Sequence, residues 1–254
     1  MLKKKLRTAQ NLFRDGGLKN VCDYVWLRLQ VLTNGYRNEI RIDQCRFSLK
    51  EIVDVATRIE LIRKTYEAPE RQAVARYLPR EVPVVELGGS MGVVACVTNR
   101  LLKDRKAHLV VEANPLAIPH LKRNRQLNHS EFEIANCAIA YGVESITFRP
   151  SADLAGNSIT RPGGEPPVTV DAARLQDLVQ ERGFGKFSLV CDIEGLEYDL
   201  VCQEAGTLKN ADTIIMETHA RYIGEDKLEL MLRKLEELGF KIVEEIGFVV
   251  VLQK

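Results

Sequence analysis

From Val82 onward, short apolar runs alternate with amphipathic stretches, and that alternation restricts the chain to one broad architecture. A strand apolar at nearly every position is buried on both faces, as in a parallel sheet covered by helices. Seven such runs are read: Pro83 to Leu87, His108 to Glu112, Phe132 to Ala135, Phe187 to Ile193, Thr213 to Glu217, Lys241 to Ile246 and Phe248 to Leu252. Asp226 to Leu238 reads as a helix between them. Its Leu228, Met231, Leu232, Leu235 and Leu238 recur at three and four residues, and Gly239 supplies the stop. Only Gly247 separates the last two runs, too little for a crossover, so these strands must pair antiparallel. The expected fold is α/β: a doubly wound, mostly parallel seven-stranded sheet ending in a C-terminal antiparallel hairpin. Residues 1 to 65 read as a mainly helical N-terminal extension with a short strand pair near 39–42 and 45–47, and residues 66 to 254 as the catalytic domain.

Charge and cysteine usage exclude several functions. Lys and Arg number 36 against 35 Asp and Glu, a formal charge of +1, which gives no global field to recruit nucleic acid. The six cysteines form no CxxC pair and sit mostly in apolar segments, arguing for a reducing cytoplasm without zinc site or disulfide framework. Gln10, Asn11, Arg14 and Asp15 interrupt the place where a signal peptide needs an apolar core, and no run reaches the ~20 apolar residues of a membrane helix. Lys3, Lys4, Lys5 and Arg7, with Trp26, Leu27 and Leu29 beyond them, allow at most a weak peripheral membrane contact. Residues 149 to 167, rich in Pro and Gly, read as a flap over a site.

The stretch Val84-Val85-Glu86-Leu87-Gly88-Gly89-Ser90-Met91-Gly92 is a buried strand entering a glycine-rich turn and then a helix. Glycines let a backbone approach a ligand closely. A dinucleotide fingerprint read from Gly88 needs glycine at 90 and 93, where Ser90 and Val93 stand, so a pyrophosphate cradle is disfavoured. Glu86, two residues before the first glycine, suits a cationic ligand such as the amino group and sulfonium of S-adenosylmethionine. A second strand ends at Glu112, followed by Ala113-Asn114-Pro115, and an acid there can accept hydrogen bonds from ribose hydroxyls. Asn136, Cys137 and Ala138 end a third strand, where a polar contact to an adenine edge is expected.

These elements resemble the FkbM-family methyltransferases from Tyr66 to the C-terminus. The likeness lies in Tyr66-Glu67-Ala68-Pro69-Glu70, the Glu86 to Gly92 turn, Val111 to Pro115, Asn128, the Ala138 turn, Cys191-Asp192-Ile193-Glu194-Gly195-Leu196-Glu197, and Glu217-Thr218-His219. The D-x-E-G-x-E element is the most specific of them. Glu86 and Gly89-Ser90 stand where the family usually has Asp and Ala-Asn, and Val190 where Lys is common. The resemblance implies a class I, Rossmann-like methyltransferase using S-adenosylmethionine. It further implies O-methylation of a hydroxyl on a sugar, a surface glycan or a secondary metabolite. The cofactor contacts expected are Glu67, Glu86, Gly88, Gly89, Ser90, Met91, Gly92, Glu112, Ala113, Asn114, Asn136, Cys137, Ala138 and Asp192.

Asp192 and Glu194, two apart, would share one face on a continuing strand. Carboxylates there can orient a sulfonium or accept a hydroxyl's proton. His219, just past the next strand, projects at the same sheet edge, and imidazole takes a proton near neutral pH. Asp192, Glu194 and His219 are therefore the expected catalytic residues, with Arg221 and Tyr222 near the substrate. Glu197 reads as an acid favouring a helix start. No metal is expected, because a dication beside a sulfonium is unfavourable unless more acids gather. The rival readings are a nicotinamide-dependent oxidoreductase or epimerase, and a non-catalytic partner with the same fold.

Overall fold

A computed structural model describes residues 25, 39–50, 52, 55–150 and 165–254. The basic start, the Trp26 to Leu29 segment, Cys22 and most of the 149 to 167 loop lie outside the described residues.

The main sheet contains the seven expected strands. These are β3 (Val84–Leu87), β4 (His108–Val111), β5 (Glu133–Ala135), β9 (Phe187–Cys191), β10 (Ala211–Glu217), β11 (Lys241–Ile246) and β12 (Val249–Gln253). Their order is β11-β12-β10-β9-β3-β4-β5. The five from β5 to β10 are parallel, and β12 lies antiparallel between β10 and β11. The chain runs outward from β3 through β4 to β5, then returns to β9 on the other side of β3. That reversal opens a crevice at the carboxyl ends of β3 and β9, where open α/β sheets bind ligands.

Helices cover both faces. On one side α2 (Ala68–Tyr77) and α3 (Val93–Leu101) bury Ala73, Val74 and Val94 against Val84, Val190 and Ile215. On the other, α5 (Leu175–Glu181), α6 (Glu197–Gln203) and α9 (Glu225–Glu237) bury Leu178, Leu200, Met231 and Leu235 against Val85, Leu87, Leu189 and Ile214. The short α7 (Ala205–Leu208) and α8 (Ala220–Ile223) fill the connections. Among the described residues no helix is long and apolar enough to cross a membrane, and Cys45, Cys96, Cys137, Cys191 and Cys202 are free thiols.

The expected strand pair is present as β1 (Glu39–Ile42) and β2 (Cys45–Ser48), followed by α1 (Val55–Arg63). The hairpin is fastened to α4 (Ile118–Leu127) and the residue after it. Ser48 N–H donates to Asn124 Oδ1 at 2.9 Å, and Asn128 bonds the Arg46 N–H and carbonyl at 2.7 Å each. Ile42, Cys45, Phe47 and Leu61 share one apolar cluster with Met91, Val93 and Leu121. The division expected after residue 65 runs through this cluster.

A second sheet was not expected: β6 (Ala138–Ile139), β7 (Ser145–Phe148) and β8 (Val168–Ala173), in the order β6-β8-β7. One strand boundary also corrects the expectation. The fourth strand ends at Cys191, so Asp192 and Glu194 lie in a turn rather than on one strand face.

Candidate active site

The crevice holds a cavity of about 570 Å³ lined by seven segments of the chain. Tyr66, Glu67 and Glu70 come from the start of α2, and Gly88 and Ser90 from the turn after β3. Val111, Glu112 and Ala113 end β4; Cys137 and Ile139 flank β6. Asp192 and Glu194 follow β9, and Glu217 and Arg221 bracket the turn after β10. Phe248, 74% exposed, closes the edge from the β11–β12 turn.

The glycine turn is built by close packing. A Cβ on Gly88, whose φ is +91°, would stand 1.7 Å from the Asp192 carbonyl oxygen, so the β3 and β9 ends can meet only through glycine. Gly89 and Gly92 face Val110 and Leu121 at 2.3 and 2.5 Å in the same sense, which places them behind the cavity wall. Three non-glycine residues on the wall have left-handed backbone: Glu67 (φ 47°), Ser90 (φ 43°) and Glu194 (φ 52°). Such conformations cost of order 1 to 3 kcal/mol and tend to cluster at functional sites.

Glu112 is buried, with its Oε2 accepting the Ser90 N–H and its Oε1 the Asn114 N–H, both at 2.6 Å. Burial raises its pKa, and those two bonds oppose the rise. Each oxygen accepts one bond there and can accept another, as a diol acceptor requires, and Glu112 lines the cavity. Beside it, Val111, Ala117, Cys137 and Ile139 form an apolar wall. Asn136 spends its amide on the backbone, donating to the Glu112 carbonyl at 2.7 Å, and does not line the cavity. Asn114 caps the following turn through its Oδ1 and Leu116 N–H at 2.9 Å. Met91 and Ala138 are also buried off the wall.

Glu86 sits elsewhere than expected. It is 2% exposed, off the cavity wall, with its Oε2 3.5 Å from His108 Nε2 on the neighbouring strand. Neither carboxyl oxygen has a hydrogen-bond partner. Burial alone pushes Glu86 up to about 8 and His108 down to about 3, so both are neutral near pH 7.

The carboxyl edge of β9 and β10 is the most heavily charged part of the wall. His219 is 2% exposed, and its Nδ1 lies 2.8 Å from Glu197 Oε1. Glu197 is 0% exposed and also accepts the Gly195 N–H at 3.0 Å. With Nδ1 donating to Glu197, Nε2 points at three carboxylates: Glu194 at 3.5 Å, Asp192 at 3.7 Å and Glu217 at 3.8 Å. Tyr222 stacks on the imidazole at 5.7 Å, close enough that a Cβ on Gly195 would press on it at 3.1 Å. Burial opposes a charge on His219, but the Glu197 bond and the surrounding acids outweigh it and raise its pKa. Burial, then the charges of Glu217 and Glu194, hold the Asp192 carboxyl well above its usual range. Burial raises Glu67 likewise, with Glu70 next. Glu70 itself is pushed up to about 7 by burial, a bond to its own backbone N–H opposing.

Asp192, Glu194 and His219 are thus brought together, but His219 lies one layer behind the wall that Asp192 and Glu194 form. The sequence reading missed Glu197 as the partner of His219, and Glu70 and Glu217 as wall acids. The E-x-H spacing of Glu217 and His219 was the available signal for Glu217, since alternate residues leaving a strand project together. Nothing in sequence announces the burial of Glu197.

No family model matches the chain, and no curated protein matches it. Solved structures of similar shape include a ribosomal protein L11 methylase from Lactobacillus delbrueckii subsp. bulgaricus, 13% identical with a TM-score of 0.42 over 72% of this chain and 74% of that one. A precorrin-6y C5,15-methyltransferase from Geobacter metallireducens is 9% identical, TM-score 0.46, over 85% and 97%. The fibrillarin of Aeropyrum pernix, solved with S-adenosyl-L-methionine, is 10% identical, TM-score 0.43, over 74% of each chain.

Proposed function

We propose that this chain is an S-adenosylmethionine-dependent methyltransferase acting on a hydroxyl of a sugar, surface glycan or small secondary metabolite. The observation that carries the reading is the charge of the cavity. Glu60, Glu67, Glu70, Glu112, Asp192, Glu194 and Glu217 line it, against Arg221 as the one cation among the described lining residues. Burial keeps several of these acids partly protonated, yet a wall of carboxyl oxygens with one guanidinium still offers little to the two phosphates of a nicotinamide dinucleotide and suits a nucleoside bearing a sulfonium and an ammonium. Glu112 would hold the ribose, the Val111 to Ile139 wall the base, and the acids beyond Gly88 the cationic end.

Held there, S-adenosylmethionine would supply a methyl group on positive sulfur for transfer to an acceptor hydroxyl. The hydroxyl's proton must then go to the protein. Asp192 and Glu217 stand on the wall to take it, and Asp192, with its raised pKa, holds a proton near neutral pH better than an ordinary aspartate. His219 acts from behind them, shifting the charge of the group through Glu197. Arg221 lies 3.9 Å from Glu194 and over the Tyr222 ring at 4.6 Å, at the mouth where an acceptor enters.

Calorimetry with S-adenosylmethionine and with NAD in parallel tests the reading. Binding of the first alone is expected, weakened in Glu112→Ala by about 1.5 to 3 kcal/mol for each lost hydrogen bond to the carboxylate. Binding of NAD in its place overturns the reading.

A further inference from the structure

We propose that Asp192, Glu194 and His219, with Glu217 beside them, form a binding site for one divalent cation. The absence of a metal was expected on the condition that no further acids gather, and the structure brings Glu217, Glu67 and Glu70 to the same cavity. One oxygen each from Asp192 and Glu194 and Nε2 of His219 all lie within 4.8 Å of one another.

The spacing is that of ligands around an ion. His219 Nε2 stands 3.5 and 3.7 Å from the Glu194 and Asp192 oxygens. Those distances are too long for good hydrogen bonds. Two ligands bonded at about 2.1 Å to one cation stand roughly 3.0 to 3.5 Å apart, so small side-chain shifts suffice. The second observation is His219 itself. It is almost wholly buried, and its Nε2 has no hydrogen-bond partner although it is aimed into the acids. Asp192 Oδ1 is likewise buried without one. A buried imidazole nitrogen left without a partner costs free energy unless something occupies the space before it.

Glu197 completes the argument. A metal-bound histidine nearly always gives its other N–H to a carboxylate or carbonyl, which fixes the tautomer and makes the ligating nitrogen more basic. Glu197 takes the Nδ1 proton at 2.8 Å and is itself anchored by Gly195 N–H. One imidazole among carboxylates suits manganese or iron better than magnesium. On the methyltransferase reading, the cation would bind the acceptor oxygen and ease its ionisation, the proton passing to Glu217 while Asp192 serves as ligand. The binding claim itself does not rest on that reading.

The test is manganese titration of the chelator-stripped full chain, followed by the loss of the free-ion electron paramagnetic resonance signal. One equivalent should bind. Asp192→Asn and His219→Ala should each abolish that binding, and Glu197→Gln should weaken it about 10- to 100-fold. Glu194→Gln, which keeps the side chain's shape, should also weaken it, and circular dichroism checks that each variant folds. No bound equivalent in the parent overturns the proposal, as does binding that survives both His219→Ala and Asp192→Asn. Calorimetry with S-adenosylmethionine on the same metal-free sample keeps the two readings apart. Manganese bound without S-adenosylmethionine ends the methyltransferase reading and leaves the cation site. S-adenosylmethionine bound without manganese does the reverse.

Discussion

Glu86 with His108 inside the sheet, and Glu197 with His219 at its edge, are the same two side chains buried to nearly the same degree. Their nearest nitrogen–oxygen distances are 3.5 and 2.8 Å. In the first pair no hydrogen bond reaches the carboxyl group, desolvation goes unopposed, and both partners are driven to their neutral forms. In the second, a backbone N–H and three further acids surround the pair, and His219 is pushed toward its charged form despite burial. Residue type and burial together therefore do not set charge; the count of hydrogen bonds and neighbouring charges does. The inner pair is held neutral within the packing, and the outer pair is held charged beside the cavity wall.

Turnover should separate the pairs most. His219→Ala is expected to slow methyl transfer, by less than the about 100- to 10,000-fold that losing the proton acceptor itself costs, because His219 acts through Asp192 and Glu217. The affinity for S-adenosylmethionine, read by calorimetry, should be retained. His108→Asn should turn over like the parent. Equal losses in the two variants would erase the distinction.

Stability should separate them next. Glu197→Leu leaves a buried imidazole N–H and the Gly195 N–H without acceptors, and breaking such a pair costs about 3 to 5 kcal/mol. The double variant Glu86→Leu with His108→Phe replaces both members of the inner pair by apolar groups, which is often neutral or stabilising. Denaturant unfolding of the two proteins reads the difference, and a double variant as damaged as Glu197→Leu would show the inner pair to be more than packing.

The smallest effect is the share of the pH dependence that the inner pair contributes. Glu86 faces His108 on β4, Glu67 before α2 and Cys96 on α3. Its folded pKa of about 8 exceeds the ordinary 4.5, so between those values the unfolded chain sheds a proton that the folded chain keeps. Stability from this residue is full below pH 4.5 and declines as pH rises toward 8, by at most about 1.4 kcal/mol per pH unit. His108, lowered from 6.5 to about 3, contributes the opposite slope between those values. Above pH 6.5 the Glu86 slope has the same sign as those of Glu70, pushed up to about 7, and of the raised Glu67, Asp192 and His219. Glu86→Gln should lessen, without abolishing, the fall of the melting temperature between pH 6.5 and 8, and an unchanged slope in that variant would refute the assignment.

Both pairs also mark where the sequence could and could not be read. The central strands were legible because their short, almost wholly apolar runs alternate with helical stretches, which leaves few alternatives. The direction of Glu86 was not, because β3 is buried at all four positions and shows no inside–outside alternation to assign its faces. The small sheet escaped because β6 has two residues and β7 alternates exposed with half-buried positions, without a fully buried one. That Asp192, Glu194 and His219 lie together was legible from their places at strand ends. Glu197 was not, because an acid in the first turn of a helix has a sufficient reason in the helix dipole, and only the fold shows His219 resting on it.

The placement of β12 has a consequence for how the chain assembles. β10 carries Glu217 and His219 at its end, yet it has β9 on one flank and must wait for a strand that comes more than thirty residues later to cover the other. Thr218, between those two residues, is tied down by the Phe248 carbonyl, through its N–H at 2.8 Å and its hydroxyl at 2.9 Å. During synthesis the chain can therefore join β3 to β9 and line the crevice there before the corner around Thr218 is fixed. Non-local pairings slow folding; the β3–β9 pairing, Val84 with Ser188, spans far more chain than that of β10 with β12, so β12 closes this corner of the sheet without setting the pace.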